Sequence, residues 1–254
     1  MGIHYEQAGK GDKVVFIHGA GGSTRAWYFQ SEQLKRSMEV LCIDLPGHGQ
    51  SQGNGCDSIG QYSDSVYSLL NESPPDRYFI AGHSMGGAIG MTFALAHPHL
   101  VKGLILIGTG AKLAVLPAIL EGIRLNKSET VRHIVDIAFS KTTSPQMKDM
   151  AFDEMMLCSE EAIFRDFYAC NSFNVIDRIA EIKAPVLIIC GKDDLLTPPK
   201  YADLLHRSLA NSRLSLIEGA GHMVMLEKPD EVNREIEEFV KQAATNPEGV
   251  RRKA

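Results

Sequence analysis

The chain has 254 residues, 44% hydrophobic and 22% charged, with 26 basic against 31 acidic side chains and a formal net charge of −5. That length and apolar content suit one sizeable globular domain, or one domain carrying an insertion, whose core needs no disulfide or metal staple. The acidic balance excludes a basic field for nucleic acid or an anionic membrane, and the basic run at 251–253 reads as a solvated tail.

Residues 1–10 mix polar and apolar types without an apolar signal core, and no apolar stretch reaches membrane-span length. The first strong strand pattern, 14–17, runs straight into His18-Gly19-Ala20-Gly21-Gly22. The next, 40–44, ends in Leu45-Pro46-Gly47-His48-Gly49. A third strand at 78–81 leads into a helix rich in Gly and Ala over 86–97, which stops before Pro98, and a fourth strand follows at 104–107. From 112 to 178 the alternation gives way to helical patterns. There Ser128 is placed to cap a helix whose Val131, Ile134, Val135 and Ala138 share a face, and Ser144-Pro145 opens another. The run at 185–190 is continuously apolar, as a strand covered on both faces should be, and 214–217 is the last strand. An amphipathic helix over 229–243 closes the pattern, with Val232, Ile236, Phe239 and Val240 on one stripe. This order predicts an α/β fold: a mostly parallel sheet with helices on both faces, its core formed by 1–111 and 179–254, and a helical lid at 112–178 inserted between two strands. The five cysteines, Cys42, Cys56, Cys158, Cys170 and Cys190, show no CxxC and no metal-ligand spacing, which points to a reducing cytoplasm and no metal site.

Ser84 sits in Gly82-His83-Ser84-Met85-Gly86, between an apolar strand and a helix. A sharp strand-to-helix turn forces a serine into strained dihedrals and needs small neighbours, which these glycines provide. It also puts the hydroxyl at a helix N-terminus, where free N–H groups favour negative charge. A serine hydroxyl needs a base to become nucleophilic. Of nine histidines, His222 stands out, because its loop follows the last strand at the edge of the sheet where ligands bind in open α/β folds. His18 and His48 adjoin turn glycines and suit structural roles, while His97 and His99 flank Pro98 at a helix end. The base needs a carboxylate to hold its tautomer, and the loop after the 185–190 strand offers Asp193 and Asp194. No Asp or Glu occurs from 103 to 120, which closes the strand before the lid as another source. Backbone N–H groups of Met85 and Ala20 are the expected donors to an oxyanion. The 18–22 loop lacks GxGxxG and a Lys-Ser/Thr pair, so a nucleotide-phosphate role is poor.

The HGAGG loop, DLPGHGQS at 44–51, GHSMGG at 82–87, GKDDLLTP at 191–198 and GAGHMVMLEKP at 219–229 together resemble the α/β-hydrolase superfamily, in order and across most of the chain. The resemblance implies a mostly parallel sheet of about eight strands, one fewer if the short N-terminus lacks the first. It implies hydrolysis through an acyl-enzyme without a cofactor, and Asp194 rather than Asp193 as the acid, from the G-x-x-D-x-x-x-P spacing. Serine at the elbow is unlike the superfamily's dehalogenases and epoxide hydrolases, which use aspartate. His83 ahead of it resembles carboxylesterases and monoacylglycerol lipases, whereas carbon–carbon hydrolases of dienoic diketones usually carry Asn there.

The expected substrate is a small-molecule carboxylic ester with a small to medium apolar acyl group, acted on by a monomer or homodimer. His83, Leu113, Leu116, Met147, Met150 and Met223 are the candidate pocket residues, and the methionine-rich lid either lines an adaptable acyl wall or packs the lid on the core. Arg124, Arg132 and Arg165 offer charges for an acidic group or simply face solvent. The same triad serves carbon–carbon hydrolases, lactonases, thioesterases, hydroxynitrile lyases and perhydrolases, and the same fold serves ligand receptors that signal to a protein partner.

Overall fold

A strand sends alternate side chains to opposite faces, so a strand apolar at both parities must be covered on both sides. The computed structural model, which describes residues 2–71 and 76–245, shows this arrangement. The chain starts with β1 (Tyr5–Ala8) and β2 (Lys13–Ile17), then α1 (Tyr28–Leu34), β3 (Glu39–Ile43), α2 (Ile59–Leu70), β4 (Tyr78–His83), α3 (Met85–Ala96) and β5 (Val101–Ile107). Four consecutive helices follow: α4 (Pro117–Leu125), α5 (Lys127–Ala138), α6 (Pro145–Leu157) and α7 (Glu160–Ser172). The sheet resumes with β6 (Val186–Gly191), α8 (Pro199–Ser208) and β7 (Ser212–Ile217), and the chain ends in α9 (Val224–Glu227) and α10 (Pro229–Thr245).

The strands form one sheet in the order β1-β3-β2-β4-β5-β6-β7, with β1 antiparallel to β3 and every other pair parallel. In β2, Val15 and Ile17 join a core shared with α2, α3 and α8, while Val14 and Phe16 join one shared with Trp27, α9 and α10. The sheet has seven strands among the described residues, the count expected if the first of about eight is missing, and β1 lies at its edge. That strand reads YEQA and is mostly exposed, so apolar patterning does not reveal it.

The helices between β5 and β6 build a third cluster of their own, with Ile123, Val131, Ile134, Val135, Met155, Ala162 and Ile163 at its centre. Ser144 caps α6 by accepting the Met147 N–H, with Pro145 at the first helical position. The α5 cap is Asn126, not Ser128: its side chain accepts the Glu129 N–H at 3.3 Å. Asn and Ser cap equally well, and the helix starts at the earlier of the two. All five cysteines are free thiols. Among the described residues no helix is long and apolar enough to cross a membrane. The basic run at 251–253 lies outside the described residues.

Candidate active site

Ser84 joins β4 to α3 with φ 52° and ψ −114°, and among the described residues no other non-glycine has positive φ. Such a conformation costs on the order of 1–3 kcal/mol and persists only where its surroundings over-determine it. Here the Ser84 N–H donates to the Ile107 carbonyl at 2.9 Å, and the Ser84 carbonyl accepts from Thr109 Oγ1 at 2.8 Å and from the Gly87 N–H at 2.9 Å. The turn is closed so tightly that a Cβ on Gly82 would collide with the Gly86 carbonyl, and one on Gly86 with the Ile17 carbonyl. Met85 opens α3, where first-turn N–H groups have no partner within the helix.

The loops after β6 and β7 bring the carboxylate and the imidazole together. His222 Nδ1 lies 2.9 Å from Asp194 Oδ2, with the two residues 4% and 2% exposed. Asp194 Oδ1 accepts the N–H groups of Leu196 (2.9 Å) and Thr197 (2.8 Å), and Thr197 Oγ1 donates to Oδ2 at 2.9 Å. Burial works against the charge on Asp194, but His222 and these hydrogen bonds outweigh it and hold the carboxyl below its ordinary range. A proton on Nδ1 leaves Nε2 of His222 free to act as a base. Asp193 is exposed and accepts from Ser140 Oγ at 2.8 Å, away from the imidazole.

His83 is 3% exposed, and its Nε2–H donates to the His222 carbonyl at 3.0 Å, so it braces the His222 loop. The helical insertion braces the same loop: the Ala138 carbonyl accepts the His222 N–H at 2.7 Å. Glu227 bridges the two segments, accepting from Gly221 N–H (2.7 Å), from Ser140 N–H (2.8 Å) and from Thr143 Oγ1.

On the other side of Ser84 lies the 18–22 loop, where a Cβ added to Gly19 would sit 3.3 Å from Ser84 Cβ. Ala20 is half-buried, and its N–H makes no hydrogen bond among the described residues. His18 is structural: Nδ1 donates to the Gly19 carbonyl at 2.8 Å and Nε2 accepts the Leu45 N–H at 3.0 Å. His48 is buried as well, with Nε2 2.8 Å from Asp166 of α7.

The candidate pocket residues separate. Leu113 is buried, Met147 and Met223 are half-buried, and Leu116 and Met150 are 69% and 73% exposed. Helical period explains Met150: Met155, on the buried side of α6, packs against the loop instead, 2.9 Å from where a Gly21 Cβ would be. The arginines of α4, α5 and α7 are engaged in ion pairs, Arg124 with Glu160 and Glu161, Arg132 with Asp149, and Arg165 with Asp57 and Glu161. Thr197, Glu227 and Asp166 escaped the sequence reading. For Asp166 a signal exists, since it interrupts the otherwise apolar stripe Ala162, Ile163, Ala169 and Cys170 of α7.

The model of the alpha/beta hydrolase family matches residues 14–235. An uncharacterized protein of Mycobacterium tuberculosis is 30% identical over 92% of this chain and 76% of its own length. A 2-hydroxy-6-oxo-6-phenylhexa-2,4-dienoate hydrolase of Comamonas testosteroni is 28% identical over 94% of this chain and 91% of its own. Among solved structures, a thermophilic esterase is similar with a TM-score of 0.84 and 31% identity, covering 95% of this chain and 94% of its own.

Proposed function

The chain belongs to the alpha/beta hydrolase family, and from that premise we propose that this hydrolase cleaves carboxylic esters of small to medium apolar acyl groups through an acyl-enzyme on Ser84. The observation that carries the reading is the buried His222–Asp194 hydrogen bond at 2.9 Å, on loops at the same sheet edge as the strained Ser84. Similarity to a thermophilic esterase supports an ester as the bond cleaved.

In the first half-reaction Ser84 Oγ attacks the ester carbonyl carbon while His222 Nε2 takes its proton. The carbonyl electron pair moves onto oxygen, where the Ala20 and Met85 N–H groups meet it. Collapse breaks the carbon–oxygen bond to the alcohol, which leaves with the proton from His222. Water then repeats both steps on the acyl-enzyme, releasing the acid and restoring the Ser84 hydroxyl. Asp194 stays ionised throughout and stabilises the imidazolium. Segment 112–178 acts as a lid over this site, with Leu113, Met147, Met155 and Met223 shaping the acyl side. The five free thiols suit a reducing cytoplasm.

Hydrolysis of p-nitrophenyl esters from acetate to laurate, with Ser84→Ala as control, tests the reading. Turnover that depends on Ser84 and peaks at a short or medium chain is expected. Absence of turnover at every length, or full activity in Ser84→Ala, would overturn it.

A further inference from the structure

Asp166 takes no part in the steps above, yet its carboxylate is fully enclosed close to them. It lies on α7 of the helical insertion and has no exposed surface. Its Oδ2 accepts the Gly21 N–H and the His48 Nε2–H, each at 2.8 Å, and its Oδ1 accepts the Tyr62 hydroxyl. Both ring nitrogens of His48 face acceptors, because Nδ1 lies 3.1 Å from the Pro46 carbonyl. That arrangement suits an imidazole carrying both protons beside the Asp166 carboxylate. Burial works against that charge, but the Asp166 carboxylate outweighs it and holds His48 well above its ordinary pKa.

A buried ion pair is a poor way to gain stability alone, since apolar groups of the same volume often do as well. What the pair does locally is hold one peptide. Residues 19–22 form a turn closed by the Gly22 N–H donating to the Gly19 carbonyl at 3.1 Å, and Gly21, its third residue, has φ +65°. Positive φ at that position alone makes it a type II turn. Types I and II differ by a flip of the central peptide, here the one joining Ala20 to Gly21. An acceptor fixed on the Gly21 N–H selects one flip state, and the neighbouring Gly19–Ala20 peptide, which carries the Ala20 N–H, is held with it.

We propose that Asp166 is a positioning residue for the oxyanion hole, which aims the Ala20 N–H by holding the Ala20–Gly21 peptide through the Gly21 N–H. The helical insertion thus supplies part of the catalytic machinery as well as a wall over the substrate. This rests on the serine-hydrolase reading of the site.

Two variants separate positioning from mere folding. Asp166→Ala removes the acceptor, and kcat on p-nitrophenyl esters is expected to fall about 100-fold, the scale of one lost oxyanion donor, with KM little changed. Asp166→Asn keeps one oxygen for the Gly21 N–H and is expected to recover most of that loss. Equal losses in the two variants, or a loss confined to KM, would overturn the proposal. Amide hydrogen exchange on the wild-type protein needs no variant. The Gly21 amide is expected to be protected at all times, and the Ala20 amide to gain protection when a fluorophosphonate modifies Ser84. A freely exchanging Gly21 amide, or an Ala20 amide indifferent to the adduct, would overturn it even if neither variant folds. Wild-type protein that takes no phosphonate on Ser84 and turns over no ester would sink the serine-hydrolase reading and this inference together. An active wild type with an equally active Asp166→Ala would sink this inference alone.

Discussion

The Nε2–H of His83 donates to the backbone carbonyl of His222 at 3.0 Å, with the two rings 4.6 Å apart between centroids. The residue before the proposed nucleophile is thus bonded to the main chain of the proposed base. Burial, aided by the charge His222 can carry, pushes His83 down to about 3, so it stays neutral and the Nε2–H tautomer persists.

His83→Leu leaves the buried His222 carbonyl without a donor, a loss of about 1–3 kcal/mol in alignment of the base. The expected result is a fall in kcat of about 10- to 100-fold with KM little changed, and a partial return in His83→Gln, which can donate. Steady-state kinetics on one ester checks both.

Ser84→Gly should abolish turnover while making the protein more stable, because glycine adopts φ 52° without penalty. Relief of about 1 kcal/mol corresponds to a rise in Tm of roughly 2–4 °C for a chain of this size. Ser84→Ala, which keeps a Cβ, should not show the rise. Calorimetry of the two variants against wild type decides the matter.

Asp194→Asn loses the carboxylate that fixes the His222 tautomer, and kcat should fall by about 10⁴-fold. Asp193→Asn disturbs only the bond from Ser140 Oγ and should stay close to wild type. The reverse pattern would move the acid by one residue.

Stability should fall on the acid side of neutrality. His18, lowered to about 4 by burial and by the neighbouring His48, and His83, lowered to about 3, refuse protons that the unfolded chain takes up near its ordinary value of 6.5. Their contribution is full above 6.5 and is lost as pH drops towards those folded values. Asp194, held below its ordinary 3.8, adds a loss as pH falls through its folded value. His48 acts in the opposite sense: its raised value contributes stability that is full below 6.5 and lost as pH rises through the folded value. Thermal melting across pH should therefore trace a dome, and a Tm unchanged between pH 6.5 and 4 would contradict the buried neutral state of His18 and His83.

The central strands were legible because they are apolar at both parities, as at 186–189, and because each ends in a glycine-rich loop. β1 was not, since four mostly exposed residues pairing at an edge leave no apolar pattern. The proposed roles of Ser84, Asp194 and His222 come from motif and order, and the structure brings the last two within hydrogen-bond distance. Side-chain direction within the insertion was not legible: Met150 and Met155 share one helix, yet Met155 packs at Gly21 while Met150 is exposed. Asp166 carries no motif, and its role depends on a loop 145 residues away in sequence.

The most direct test of the central claim is peptide-mapped mass spectrometry after treatment with a serine-directed fluorophosphonate, run alongside ester turnover. A single adduct on Ser84, formed in step with loss of activity and absent from Ser84→Ala, is the predicted result. An adduct on another residue, or turnover that survives complete modification of Ser84, would contradict it.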